Sequence, residues 1–185
     1  TKIIHSNGDN GNLAITTIAT SESKQEELYS TALAVDTNKQ IVYVLDQLGN
    51  MSYFDLETES IVKEVKLFDE FNYPFSGMKV SNDGKFLACG FNDDFIRLYD
   101  TDLHQFVYEH KADGKVQTLA FDTKHPYLYV SETNGFISVF DYEKKKKLQS
   151  FDDMVFNAQS LTSHPRGNVV IIANNRQISF YDVQT

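Results

Sequence analysis

The sequence predicts an all-β protein assembled from repeated four-stranded antiparallel sheets. Three observations carry the prediction. Aromatic-Asp pairs close four similar segments, at Asp55, Asp100, Asp141 and Asp182, spaced 45, 41 and 41 residues apart. Between these pairs lie short runs rich in Val, Ile, Phe and Tyr, broken by Asn, Asp and Gly, the pattern of strands joined by hairpin turns. Apolar residues nowhere hold a 3.6-residue stripe over the roughly 11 residues an ordinary helix needs. A recurrence at this period marks a repeat architecture, in which each copy is one supersecondary unit.

Along the chain, the first element is incomplete. Residues 1–20, with "GDNGNLAIT", read as the second and third strands of a degenerate unit, and the polar "TSESKQEE" of residues 20–27 as a loop. The first full copy occupies 28–67: strand "STALAV", turn "DTNKQ", strand "IVYVL", turn "DQLG", then "NMSYFD" and a weaker fourth strand, "SIVKEV". The second copy, 72–110, repeats the order as "FSGMKV", "SNDGK", "FLACGF", "NDD", "FIRLYD" and "QFVYEH". The third, 114–151, runs "VQTLAF", "DTKHP", "YLYVS", "ETN", "GFISVFD" and "KLQSF". The fourth, 155–185, is incomplete: "AQSLTS", "HPRGN", "VVIIA", "NNR" and "QISFYD". Middle strands such as "VVIIA" and "IVYVL" are apolar on both faces, which predicts sheets packed from two sides.

Four strands per unit at about 40–45 residues is the period of a β-propeller blade of the WD40 type. The stretch "SNDGKFLACGFNDDFIRLYD" resembles the core of a WD repeat, and the similarity extends over residues 28–182. Departures are plain. Trp is absent, its place taken by Phe54, Tyr99, Phe140 and Tyr181, and the opening Gly-His dipeptide is missing, with His110 alone near one such position. The hydrogen-bonded tetrad that braces many WD-repeat blades is therefore expected to be incomplete. "LYVSETNGFISVFD" and "VYVLDQLGNMSYFD" also resemble the repeats of the Tyr-Val-Thr-Asn propeller family. The resemblance implies a β-propeller segment spanning 1–185, about four blades plus partial ones, within a larger ring of seven. Seven blades at this period need about 290 residues.

Bulk properties narrow the function. A net charge of −9 repels phosphate backbones on average, so RNA is not favoured as the main partner. The chain lacks the ~18 apolar residues in a row that a membrane span needs. It opens without a signal-peptide pattern or an initiator methionine, so it is expected to be a piece of a longer chain. One cysteine, Cys89, in the apolar "FLACGF", forms no internal disulfide and reads as packing. An intracellular protein of cytoplasm or nucleus fits these features.

Candidate sites are few. Lys144, Lys145, Lys146 and Lys147 fall in the turn between third and fourth strands. They read either as a solvated hairpin turn that protects an edge strand, or as a contact for an acidic protein surface or RNA. His125 and His164 occupy equivalent His-Pro turns, and "NGDNGN" at 7–12 lacks the spaced carboxylates of a calcium loop, so no metal is expected. Asp94 and the Asp of each aromatic-Asp pair are expected to bond nearby backbone amides. No nucleophile elbow, phosphate-binding Gly-rich loop or His-Glu-x-x-His occurs, so neither an enzyme nor a cofactor is expected.

In a propeller, loops joining fourth to first strands and second to third strands gather on one face. Phe71, Tyr73, Met154 and Phe156 lie in or beside such loops, with Asp93 and Asp94, and are candidate partner-binding residues. The aromatics would alternatively tuck between blades. The expected function is a non-catalytic docking platform in an intracellular multiprotein assembly, with other proteins as partners and no small-molecule substrate. Two rivals stand beside it: an RNP or ribosome-assembly scaffold touching RNA through the lysines, and a lactonase-like propeller enzyme.

Overall fold

A computed structural model of the chain describes residues 2–6, 13–17, 30–46, 48–68, 75–91, 93–152, 158–174 and 177–183. All the regular structure in these residues is β. The chain divides into two compact units, Thr1–Phe71 and Asn72–Thr185.

In the first unit, β1 (Lys2–Ser6) and β2 (Leu13–Thr17) pair as an antiparallel ladder. Strands β3 (Ser30–Asp36), β4 (Ile41–Asp46), β5 (Asn50–Asp55) and β6 (Ser60–Lys66) form a four-stranded antiparallel meander in chain order. Val42, Val44 and Phe54 form its apolar cluster with Leu56 and Ile61, and the Tyr43 and Tyr53 rings meet edge-on at 5.0 Å.

The second unit holds three sheets. Strands β7 (Phe75–Val80), β8 (Phe86–Phe91), β9 (Phe95–Asp100) and β10 (Gln105–Lys111) form one meander. A second comprises β11 (Val116–Phe121), β12 (Tyr127–Glu132), β13 (Phe136–Asp141) and β14 (Lys146–Asp152). The third has β15 (Ser160–Ser163), β16 (Val169–Ala173) and β17 (Ile178–Asp182). The four-stranded sheets break register at matching places. First strands shift at Ser30/Ala32, Phe75/Gly77 and Val116/Thr118, and the third-to-fourth pairings shift at Tyr53/Phe54, Phe106/Tyr108 and Val139/Phe140. A bulge sharpens local twist, so its recurrence gives each copy the same curvature.

The aromatic-Asp pairs have a local cause. Asp55 Oδ1 accepts the backbone N–H groups of Glu57 and Thr58, and Asp100 Oδ1 those of Asp102 and Leu103. Asp141 Oδ1 accepts from Lys144. The residue four after each Asp then enters the left-handed region: Glu59 at φ 51°, His104 at 56° and Lys145 at 54°. One Asx-turn thus shapes each of the three third-to-fourth hairpins among the described residues.

Face-to-face packing follows from strands apolar on both sides. In β12, Leu128 and Val130 join a cluster with Ala88, Ile96 and Leu98 of the preceding sheet. Tyr129, on the opposite face of β12, packs with Ile137, Val139, Leu161, Val170 and Ile172. The middle sheet is therefore covered by β8–β9 on one side and β15–β16 on the other. Ile178 and Phe180 of β17 occupy the positions that Ile137 and Val139 hold in β13. The β13 pair is 1% and 0% exposed under the next sheet, whereas Ile178 and Phe180 are 65% and 64% exposed. Cys89 is fully buried, which pushes its thiol up to about 12 against the weaker opposing pull of Arg97, so the thiol is inert.

Asp122, just after β11, ties the second sheet to the third. Its Oδ1 accepts the N–H groups of Lys124 and His125. Its Oδ2 accepts from the Tyr129 hydroxyl at 2.6 Å, the Ser163 hydroxyl at 3.1 Å and the Asn168 N–H at 2.9 Å. Gly167 sits against this cluster at φ +75°, and a Cβ there would meet Lys124 Cβ at 2.8 Å and Asp122 Oδ1 at 3.0 Å. Gly167→Val is expected to cost about 2–4 kcal/mol from backbone strain and displaced contacts, read as a lower urea midpoint at unchanged slope.

Candidate docking surfaces

Because each sheet is a meander, its first-to-second and third-to-fourth turns emerge at one end. The second-to-third turns and the connections to the next sheet emerge at the other. Both ends carry residues that the sequence marks as candidates.

At the connection end, Asp93 is spent on bracing. Its Oδ1 accepts the Phe95 N–H at 3.0 Å, and its Oδ2 pairs with the Arg97 guanidinium at 2.8 Å. Arg97 also reaches Glu109 at 2.6 Å and lies over the Phe91 and Phe95 rings, at 4.5 and 5.0 Å. Burial opposes the Arg97 charge, but the two carboxylates outweigh it and raise the pKa. Asp94 adopts φ 66° and its carbonyl accepts the Ala112 N–H at 2.7 Å. Its Oδ1 is buried with no hydrogen-bond partner among the described residues, so the expected bond to a backbone amide belongs to Asp93 instead. The tight turn aims the first of the two carboxylates back at the following strand.

Glu132 falls by sequence in the turn "ETN", where nothing marks it as a site. It ends β12 fully buried, and its carboxylate accepts the Gly114 N–H at 2.8 Å and the Ser138 hydroxyl. Beside it, Thr133 Oγ1 accepts the Lys115 N–H, and the Thr133 N–H donates to the Lys115 carbonyl. The 111–115 connection is thereby pinned to Asp94 of one sheet and to Glu132 and Thr133 of the next. The only signal in the sequence is an acidic residue closing an otherwise buried strand.

The lysine run splits. Lys145 Nζ donates to the Val107 carbonyl of β10 at 3.1 Å, and Lys147 Nζ pairs with Asp113 at 2.6 Å, so both reach the neighbouring sheet and its connection. Asp113 is held below the usual carboxylate range by that lysine. Lys144 pairs with the buried Asp141 at 2.9 Å while remaining 70% exposed, and its pKa is raised by that carboxylate. Lys146 points into solvent.

The histidines sit in separate settings. His110 packs edge-on to Phe140 at 4.8 Å, and burial, aided by Lys147, lowers its pKa. His125 Nδ1 lies 3.1 Å from Asp122 Oδ1, and His164 Nδ1 accepts the Arg166 N–H. Among the described residues no group of three or more His, Cys, Asp or Glu is arranged to hold a metal ion. No helix among them is long and apolar enough to cross a membrane. Phe71, Tyr73, Met154 and Phe156 lie outside the described residues.

No protein-family profile and no curated protein matches the chain. Solved structures do. The β-propeller domain of Cps50 (Swd1) from Myceliophteria thermophila matches with a TM-score of 0.80 at 12% identity, over 99% of this chain and 62% of that one. The WD40 repeats of RRP9 match with a TM-score of 0.70 at 17% identity, over 81% and 46%. Hydrazine synthase of Kuenenia stuttgartiensis matches with a TM-score of 0.71 at 16% identity, over 91% and 50%. The chain spans about half to two-thirds of the length of these structures. At such identities the likeness speaks of fold alone, and it agrees with the repeated meanders and matching bulges: the chain has a WD40-like β-propeller fold.

Proposed function

We propose that the chain is a non-catalytic platform on which other proteins of an intracellular assembly dock. One observation carries this reading. The ionisable groups Asp93, Asp122, Glu132, Asp141 and Lys147 are engaged in bonds that brace one sheet or join two. What a partner meets is a stiff frame with two exposed turn ends. The uncovered face of β17, with Ile178 and Phe180, takes a further blade of a larger ring, because the same positions in β13 are covered in that way. Asp94 at the connection end is the docking candidate among the described residues; Phe71, Tyr73, Met154 and Phe156, which the sequence adds to it, lie outside them.

The test is affinity capture from cell extract with the wild-type chain and with Asp94→Lys, next to a lactone-hydrolysis assay on both preparations. The reading expects at least one captured protein to be lost from Asp94→Lys while the variant remains folded at the temperature of capture, with no turnover by either. Turnover that disappears with a loop substitution overturns it.

A further inference from the structure

Inside the second unit, one kind of contact between sheets occurs twice. On β9, Ile96 and Leu98, four and two residues before Asp100, cluster with Leu119 and Phe121 of β11. On β13, Ile137 and Val139, four and two before Asp141, cluster with Leu161 of β15. A third strand thus offers an apolar trailing pair, and the first strand of the following sheet offers the leading side chains that cover it. In both contacts all of these side chains are buried.

The chain also carries one side of each kind uncovered. The trailing pair of β17, Ile178 and Phe180, is exposed, although the same positions in β9 and β13 are buried. On β3, Leu33 and Val35 are 60% and 42% exposed. Register identifies these two as leading residues. Leu33 pairs with Val44 and Val35 with Val42, as Leu119 pairs with Val130 and Phe121 with Leu128. The turn that follows is the same as well. Asp36 Oδ1 accepts the N–H groups of Asn38 and Lys39, as Asp122 Oδ1 accepts those of Lys124 and His125. Val42 and Val44 are already buried in the cluster of their own sheet, so the missing cover lies over β3.

We propose that a second copy of this chain supplies both covers. The trailing face of β17 in one copy packs on the leading face of β3 in the other, and the reverse contact forms as well. The proposal rests on the reading that β17 takes a further blade, and names the molecule that brings it. Two observations favour a second copy over an unrelated partner. The uncovered sides are the two halves of a contact the chain already makes twice, so they match in register and in side-chain type. The chain also spans between 46% and 62% of the propeller structures it matches, so two copies bring about one full complement. Removing Leu33, Val35, Ile178 and Phe180 from water is the driving force. Contacts between unlike faces stop at two copies only when they are reciprocal; otherwise they grow into open chains.

The experiment is sedimentation velocity of the wild-type chain, of Leu33→Asp, of Phe180→Asp and of an equimolar mixture of the two variants. The wild type is expected to be mostly dimer at about 10 μM, within the affinity range of a modest apolar interface. Each variant alone lacks one half of both contacts, so its dimer is expected to weaken roughly a hundredfold or more. Both side chains are exposed in the single chain, so the variants are expected to keep the wild-type circular dichroism. The mixture is expected to recover a one-to-one pair, because the intact β17 of Leu33→Asp meets the intact β3 of Phe180→Asp. A wild type still monomeric at about 100 μM overturns the proposal, whether or not a variant folds. Dimers that survive in Leu33→Asp overturn it in favour of β17 faces pairing with each other. A mixture that stays monomeric, or a wild type that grows past the dimer, also overturns it. Any of these results with Asp94-dependent capture intact leaves the platform reading standing.

Discussion

Asp122→Ala is expected to lower the stability of the second unit by about 3–5 kcal/mol, the largest single effect of any exchange of one polar side chain in this fold. The carboxylate is enclosed, and its removal leaves the Tyr129 hydroxyl, the Ser163 hydroxyl and the Asn168 N–H without an acceptor. Each buried donor left unpaired forfeits its hydration as well as its bond. Tyr129, whose own phenol pKa is raised by burial and then by this carboxylate, has no water to turn to. In thermal unfolding the loss is expected to appear as a fall in Tm of roughly 10 °C. The effect has a pH signature. Burial alone would raise the Asp122 pKa, but the Tyr129 hydroxyl and the backbone N–H groups of Lys124, His125 and Asn168 outweigh it, so the folded value is depressed. A depressed carboxylate stabilises the fold fully above its unfolded pKa, near 4, and loses that contribution as pH falls through the folded value. The gap between wild type and Asp122→Ala is therefore expected to be widest at neutral pH and to close in acid. A gap that stays constant from pH 7 to pH 2 would contradict the assigned hydrogen bonds.

Glu132→Ala is expected to cost about 2–4 kcal/mol, and the loss should be concentrated where the 111–115 connection enters β11. The side chain accepts from Ser138 across its own sheet and from Gly114 in the connection. Gly114 has no room to compensate, since a Cβ there would already stand 3.0 Å from the Asn134 side chain. Glu132→Gln keeps the volume and one acceptor oxygen, so it should recover about half of the loss. Guanidinium unfolding of the three proteins provides the measurement. Equal midpoints for wild type and Glu132→Ala would show that Glu132 is not the brace.

The fold was legible because its signals are local and repeated. Asp55, Asp100 and Asp141 recur because the third-to-fourth hairpin needs an Asx-turn, and the alternation of Leu128, Tyr129 and Val130 announces a strand buried on both faces. Matching bulges are invisible in sequence, since no particular residue type marks them. The sites were less legible because their partners lie a repeat away. Asp122 reads as a turn former; that its second oxygen is filled from Ser163 and Asn168 depends on neighbouring sheets bringing equivalent turns together. The lysine run reads as a turn, but only Lys144 and Lys145 stand in one; Lys146 and Lys147 open β14, and Val107 and Asp113, which hold Lys145 and Lys147, belong to the preceding sheet and its connection. Asp93 and Asp94 look interchangeable as sequence, and only backbone geometry separates the brace to Arg97 from the buried, unpartnered oxygen.

Native-state hydrogen exchange of the amides in β12 and β16 tests the central claim most directly, because that claim is that successive sheets cover one another and are locked through Asp122. Leu128, Val130, Val170 and Ile172 amides are expected to share one opening free energy in the wild-type chain, and to separate in Asp122→Ala, with β16 opening first. Independent opening of β16 in the wild type, unaltered by the substitution, would contradict it.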